Sequence, residues 1–170
     1  MIINPKTIVK RGILQGAEGE QVQQNGIDIR VENDVVIPPK SFQNIMCIES
    51  VFVPRDMAAF LQIRSSYSRR GIFCTSGAWD SGFQGRLGCS LYNLSDKPII
   101  IPTGERIAQI IFHEADSAGM YNGQYQGIGL DQNQQKLPVC EHGKEVGDCG
   151  ICAEGDPIKF HVKESELTGK

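Results

Sequence analysis

Residues 76–93 read SGAWDSGFQGRLGCSLYN and hold one carboxylate, Asp80, among glycines, aromatics and small polar residues. A lone acid in such a setting can take a proton from an attacking water. Ten residues on, Ser90 sits at a polar position of an otherwise apolar strand. A serine hydroxyl cannot carry a proton on and off near neutral pH without a base beside it. Residues 63–71, IRSSYSRRG, set Arg64 next to Ser65 and Ser66, a compact group of donors for a phosphate or carboxylate. A surface salt bridge and a polar turn account for that stretch about as well. A third group lies near the C-terminus, where CEHGKEVGDCGIC presents Cys140, His142, Cys149 and Cys152. Three sulfurs and one nitrogen suit a tetrahedral Zn²⁺, and four protein ligands leave no open position, so such an ion would be structural. The alternative is a reduced, flexible tail.

The elements that must position these groups are short. From IDIRVENDVVIPPK to ERIAQIIFHEA the chain alternates segments rich in Val, Ile and Phe with breaks of Pro, Gly, Asn and Asp. Closely spaced short strands imply an all-β barrel or sandwich. PKTIVKRGIL, residues 5–14, places apolar side chains at helical spacing after a proline, predicting a short N-terminal helix. GAEGEQVQQNG reads as a loop. After Ala115 the chain turns polar and rich in Gly and Gln, the mark of an arm rather than a core. The expected organisation is a β domain with its arm over residues 1–130 and a small tail module over 131–170.

Composition bounds the function. With 170 residues, one domain with a sizeable core is expected. Seventeen Lys and Arg against 20 Asp and Glu give a net charge of -3, which argues against sequence-independent nucleic-acid binding. No apolar run approaches the roughly 20 residues that span a bilayer, and MIINPKTIVKRGILQ lacks a signal peptide's apolar stretch. A soluble cytoplasmic protein without membrane contact is expected. Cys47, Cys74 and Cys89 lie singly in strand-like segments and read as small buried hydrophobes.

Four stretches in order, NGIDIRV, RSSYSRRG, SGAWDSGFQG and GERIAQIIF, resemble the motifs of the dUTPase and dCTP deaminase superfamily. The likeness runs from the N-terminus to about Leu130. The N-terminus and YNGQYQG are more like the deaminases, GERIAQIIF more like the dUTPases. The resemblance implies a distorted jelly-roll β barrel, a homotrimer with sites between subunits, a deoxynucleoside triphosphate substrate and Mg²⁺. By the same resemblance Asp80 holds the attacking water and Asp28 lies near metal-bound phosphates. Arg64, Ser65, Ser66 and Gln109 grip phosphate, Arg69 matches an arginine that the deaminases use beside the ring, and Phe83 packs on deoxyribose. Gly77 and Trp79 belong to the base-binding hairpin, while Tyr121, Gln124 and Tyr125 belong to the phosphate-binding arm.

Ser90 stands where the resembling deaminases carry a glutamate that shuttles protons at the ring. The glycine-rich fifth motif of dUTPases is absent, Gln124 replaces a usual lysine and Ile128 a usual glutamine. The expected activity is hydrolysis of dUTP to dUMP and pyrophosphate. The alternatives are a dCTP deaminase or bifunctional enzyme with a substitute for the glutamate, and a non-catalytic nucleotide sensor.

Overall fold

The protein is described by a computed structural model over residues 1–117 and 119–131. In chain order come helix α1 (Pro5–Lys10), strand β1 (Leu14–Gln15), a 3₁₀ turn (Gly19–Gln21), β2 (Ile27–Arg30), β3 (Val35–Ile37), β4 (Phe42–Phe52) and β5 (Met57–Ile63). A one-turn helix α2 (Ser65–Ser68) leads to β6 (Ile72–Thr75), β7 (Gln84–Asn93), β8 (Ile99–Ile101) and β9 (Arg106–Glu114).

Helix α1 is four residues shorter than the spacing predicts. The Asn4 side chain accepts from the Lys6 amide at 3.0 Å, and Pro5 opens the first turn. Gly12, at φ +64°, then takes the left-handed conformation that ends a helix.

Strands pair antiparallel in three sheets, ordered β1-β4-β7-β6, β2-β9-β5 and β3-β8. The all-β expectation holds, but the barrel is not closed. Isolated bridges, Val31 with Cys47 and Ala59 with Trp79, link the sheets where a barrel would have continuous ladders. Breaks at Pro38, Pro54 and Gly71 stop the strands before they can run from one sheet into the next.

Alternation along the strands makes the core. On β7, Leu87, Cys89 and Leu91 point inward, and on β4, Ile45, Cys47 and Val51 meet them. Ile27 and Ile29 of β2 and Ile107, Ile110 and Phe112 of β9 are also buried. Each such side chain contributes about 1.5–3 kcal/mol on burial. The opposite face of β7, residues 86, 88 and 90, is left for the site. Cys47 is buried as expected, and burial pushes its thiol far up. Cys89 is buried as expected too, whereas Cys74 is only half-buried.

Among the described residues no helix is long and apolar enough to cross a membrane.

Candidate functional site

Asp80 begins a tight turn. The Phe83 amide donates to the Asp80 carbonyl at 3.0 Å, and Gly82 supplies φ +83° at the position where a type II turn requires it. The turn is pinned from below. The Gly82 amide donates to the Val53 carbonyl at 2.7 Å, the Val53 amide to the Phe83 carbonyl at 2.8 Å, and Ser81 Oγ to the Met57 carbonyl at 2.7 Å. Trp79 exchanges both backbone bonds with Ala59 and is 7% exposed, so its indole packs in the core with one edge toward the cavity. The Asp80 side chain is exposed, and among the described residues nothing bonds to its carboxylate. A fixed backbone thus carries a free base.

The turn forms one end of an open cavity of about 430 Å³. Gly77, Trp79, Asp80, Phe83, Ser90, Tyr121 and Tyr125, all expected site residues, line it together. Phe83 and Tyr121 meet edge to face, with centroids 5.5 Å apart. At the other end the register puts Asn44 of β4 and Thr75 of β6 on either side of Ser90. Ser90 Oγ donates to Asn44 Oδ1 at 2.6 Å. Among the described residues no second carboxylate lines this cavity. Arg86 lines it too, but its guanidinium is engaged: Nη1 pairs with Glu32 at 2.6 Å, and Nε and Nη2 both donate to the Cys47 carbonyl.

The arm docks beside the turn. Strand β6 covers β7 only at residues 90–93, which leaves the edge at 84–86 open. There the Gly127 amide donates to the Gln84 carbonyl at 2.8 Å and the Arg86 amide to the Ile128 carbonyl at 2.9 Å. Gln126 clamps both sides, accepting from the Gln84 amide and donating to the Gly82 carbonyl, each at 2.9 Å. The arm is therefore a turn-rich strap laid along the open edge of β7.

The phosphate-type residues gather in a separate cavity of about 260 Å³, lined by Gln23, Asp28, Gln62, Arg64, Ser65 and Gln109 among others. It shares no lining residue with the first. Asp28 lies within β2, directly opposite Gln109 of β9. Its carboxylate is 3% exposed and sits 3.6 Å from Arg64 Nε and 3.8 Å from Arg106 Nη1, with Gln109 Nε2 donating at 3.3 Å. Asp28 is thus a buried anchor of two arginines. Arg64 also donates through Nη1 to the Arg106 carbonyl at 2.8 Å, fixing its fork at the mouth of the cavity.

A buried network braces β2 from behind. Glu49, fully buried, accepts from the Arg30 amide and from Arg30 Nε, both at 2.9 Å, and from Gln21 Nε2 at 2.9 Å. The same Gln21 nitrogen donates to the Asp28 carbonyl at 2.6 Å. The Glu49 hydrogen bond raises the Arg30 pKa, so the guanidinium stays charged throughout the working range.

Ser66, Arg69 and Gln124 are exposed and line neither of these cavities. Asn44 and Thr75 lie outside every motif quoted above, while Arg106 in GERIAQIIF and Gln126 in YNGQYQG lie inside one without having been singled out. Asn44 and Thr75 could have been found only through the strand register with Ser90. Among the described residues no group of three or more His, Cys, Asp or Glu could hold a metal. Mg²⁺ would fit this site as an ion carried by a triphosphate, whose oxygens would supply most of its ligands, with Asp28 the carboxylate of the phosphate cavity. Cys140, His142, Cys149 and Cys152 lie outside the described residues.

The dUTPase family model matches residues 19–130, well over half of the chain. A dCTP deaminase of Pyrococcus abyssi is 40% identical over 109 residues, 62% of this chain and 70% of that protein. A dUMP-forming dCTP deaminase of a Sulfurihydrogenibium species is 30% identical over 166 residues, 75% of this chain and 92% of that protein. Among solved structures, a dCTP deaminase of Agrobacterium tumefaciens superposes with a TM-score of 0.60 at 18% identity, over 67% of this chain but only 49% of that one. The EIAV dUTPase superposes with a TM-score of 0.56 at 22% identity, over 65% of this chain and 94% of that one. These two likenesses bear on the fold alone. The names of the relatives favour the deaminase branch over plain dUTP hydrolysis, against the order expected from the sequence. By the family match and by these relatives, the chain belongs to the dUTPase family, in the superfamily that dUTPases share with the dCTP deaminases.

Proposed function

We propose that the chain binds a deoxypyrimidine nucleoside triphosphate and cleaves it between the α and β phosphorus, releasing pyrophosphate, with dUTP the preferred substrate. One observation carries the reading: Asp80 is an accessible carboxylate with no partner, while the ring-side position holds Ser90 bonded to a neutral amide. Asp80 would orient a water and take its proton as the water attacks the α phosphorus. Arg64, held in place by Asp28, would spread the charge of the phosphate oxygens together with Ser65 and Gln109. Mg²⁺, when bound with the triphosphate, would neutralise part of that charge.

The cavities hold complementary halves, a base-and-water half around Asp80 and a phosphate half around Asp28. A homotrimer in which one copy's phosphate cavity faces another's Asp80 cavity would complete the site.

A second reading, dCTP deamination with or without hydrolysis, is supported by the names of the relatives and by the retained Arg69. Against it stands the chemistry of Ser90. Ring deamination moves protons at the base, and no ionisable group flanks Ser90 across β4 or β6, where Asn44 and Thr75 stand.

Incubation with dUTP and dCTP in Mg²⁺, with separate assays for pyrophosphate and ammonia, separates the readings. Pyrophosphate without ammonia is expected. Ammonia from dCTP at a comparable rate would establish the deaminase reading instead. Binding without turnover would favour a sensor.

A further inference from the structure

We infer that Asn44, with its amide oriented by Ser90, reads the 4-position of the pyrimidine and selects a carbonyl over an amino group; this rests on the nucleotide site proposed above. Across β4, β7 and β6 the register aligns Asn44, Ser90 and Thr75 in one row, and all three line the Asp80 cavity. The row is neutral and polar, and it lies on the face of β7 opposite the core residues Cys89 and Leu91. Gly88 precedes it on the same face. A Cβ there would come within 3.0 Å of the Ile45 carbonyl and 3.1 Å of Met46 Sδ, so the absent side chain lets the Met46 thioether lie against the strand beside Ser90. An apolar thioether next to a polar row suits a flat ring that packs on the one and turns its edge to the other.

Orientation follows from where the ends of the cavity lie. Thr75 is opposite Ser90, and the chain then runs five residues to Asp80. A nucleotide with its α phosphorus at Asp80 and its sugar at Phe83 points the far edge of its base toward the Asn44–Ser90–Thr75 row. Uracil and cytosine share O2 and differ at that far edge, where position 4 bears a carbonyl in one and an amino group in the other.

In this arrangement Ser90 takes the oxygen end of the Asn44 amide. Ser90 Oγ donates to Oδ1 at 2.6 Å, which turns Nδ2 away from the serine. Nδ2 has no hydrogen-bond partner among the described residues. It therefore offers N–H donors to the cavity, which a carbonyl at position 4 accepts and an amino group cannot. The cytosine amine would face donor against donor and lose its own partner. A glutamate in place of Ser90 would have offered acceptors instead.

The test is calorimetric binding of α,β-imido dUTP and α,β-imido dCTP to the full chain, with melting temperature as a control. Wild type should bind the dUTP analogue roughly 10-fold or more tightly than the dCTP analogue. Asn44→Asp, acceptor-only, should invert the preference. Asn44→Ala should bring the ratio near one, and Ser90→Ala should lower it part of the way by freeing the amide to rotate. Melting temperatures should barely move, because Asn44 is exposed. Binding that persists in Asn44→Asp with the wild-type ratio would overturn the role of Asn44 while leaving the nucleotide site standing. So would a wild type that prefers the dCTP analogue. A wild type that binds neither analogue would overturn both.

Discussion

The two cavities are built on opposite principles. Around Asp28 every charge has a partner before any ligand arrives: a buried carboxylate holds Arg64 and Arg106, and Glu49 braces the strand behind it through Gln21. Around Asp80 the backbone is pinned, yet the carboxylate is free; Arg86 is taken up by Glu32 and the Cys47 carbonyl, and the row at Ser90 is neutral. The difference matches the tasks. A group that neutralises phosphate must be oriented in advance, since reorganising charge during reaction is costly. A group that takes a proton must reach water and change its own charge, which an ion pair would oppose.

The largest effect that would break this contrast is at Asp80. Asp80→Asn keeps shape and removes the base, so pyrophosphate release from dUTP should fall about 10²–10⁴-fold with melting temperature unchanged. An Asn variant as fast as wild type would remove Asp80 from the chemistry. Mixed with inactive Arg64→Ala in re-formed oligomers, it should recover part of the activity, because some sites then combine an intact Asp80 with an intact Arg64. No recovery would place both halves within one copy.

Glu49 tests the braced cavity. Its carboxylate is buried with three bonds, so Glu49→Ala leaves the Arg30 amide and Nε without their acceptor and removes one of the two acceptors of Gln21 Nε2. Removing one member of a buried pair costs on the order of 3 kcal/mol, here a melting temperature lower by roughly 6–12 °C. The KM for dUTP should rise with it, as β2 loses its support, while kcat changes little. Stability lost with KM unchanged would mean that the brace serves the fold alone.

The contrast itself was only half legible in the sequence. Asp80, Arg64 and the glycine-bearing turns could be found because turn chemistry and phosphate chemistry demand particular residue types at short range. Asp28 was legible as a position but not as a buried anchor, since its arginines come from residues 64 and 106, far along the chain. Glu49 and Asn44 were invisible for the same reason. Each is an ordinary polar residue on an alternating strand, and its meaning comes from the neighbouring strand's register. In the arm the sequence singled out Gln124, whereas the clamp on β7 is made by Gln126 two residues on, a role that shows only once the arm is docked against Gln84 and Gly82.

The smallest change concerns Gly26, the residue that lets β2 approach β9. A Cβ there would fall 2.5 Å from Gln109 Cγ and 2.7 Å from the Ile110 carbonyl oxygen. The Gln109 side chain can swing aside, but the backbone oxygen cannot, so β2 itself must move outward. That displacement loosens the opposed pair Asp28 and Gln109, whose bond at 3.3 Å is already long. Gly26→Ala should therefore cost about 1–2 kcal/mol, the usual range for an added methyl in a packed interface. It should raise the KM for dUTP a few-fold and leave kcat nearly as it was, because Asp80 and its turn lie in the other cavity. The measurement is steady-state pyrophosphate release beside a thermal melt. A fall in kcat with KM unchanged would show that the two cavities are mechanically coupled, and the division of labour between a preset phosphate grip and a free base would then fail.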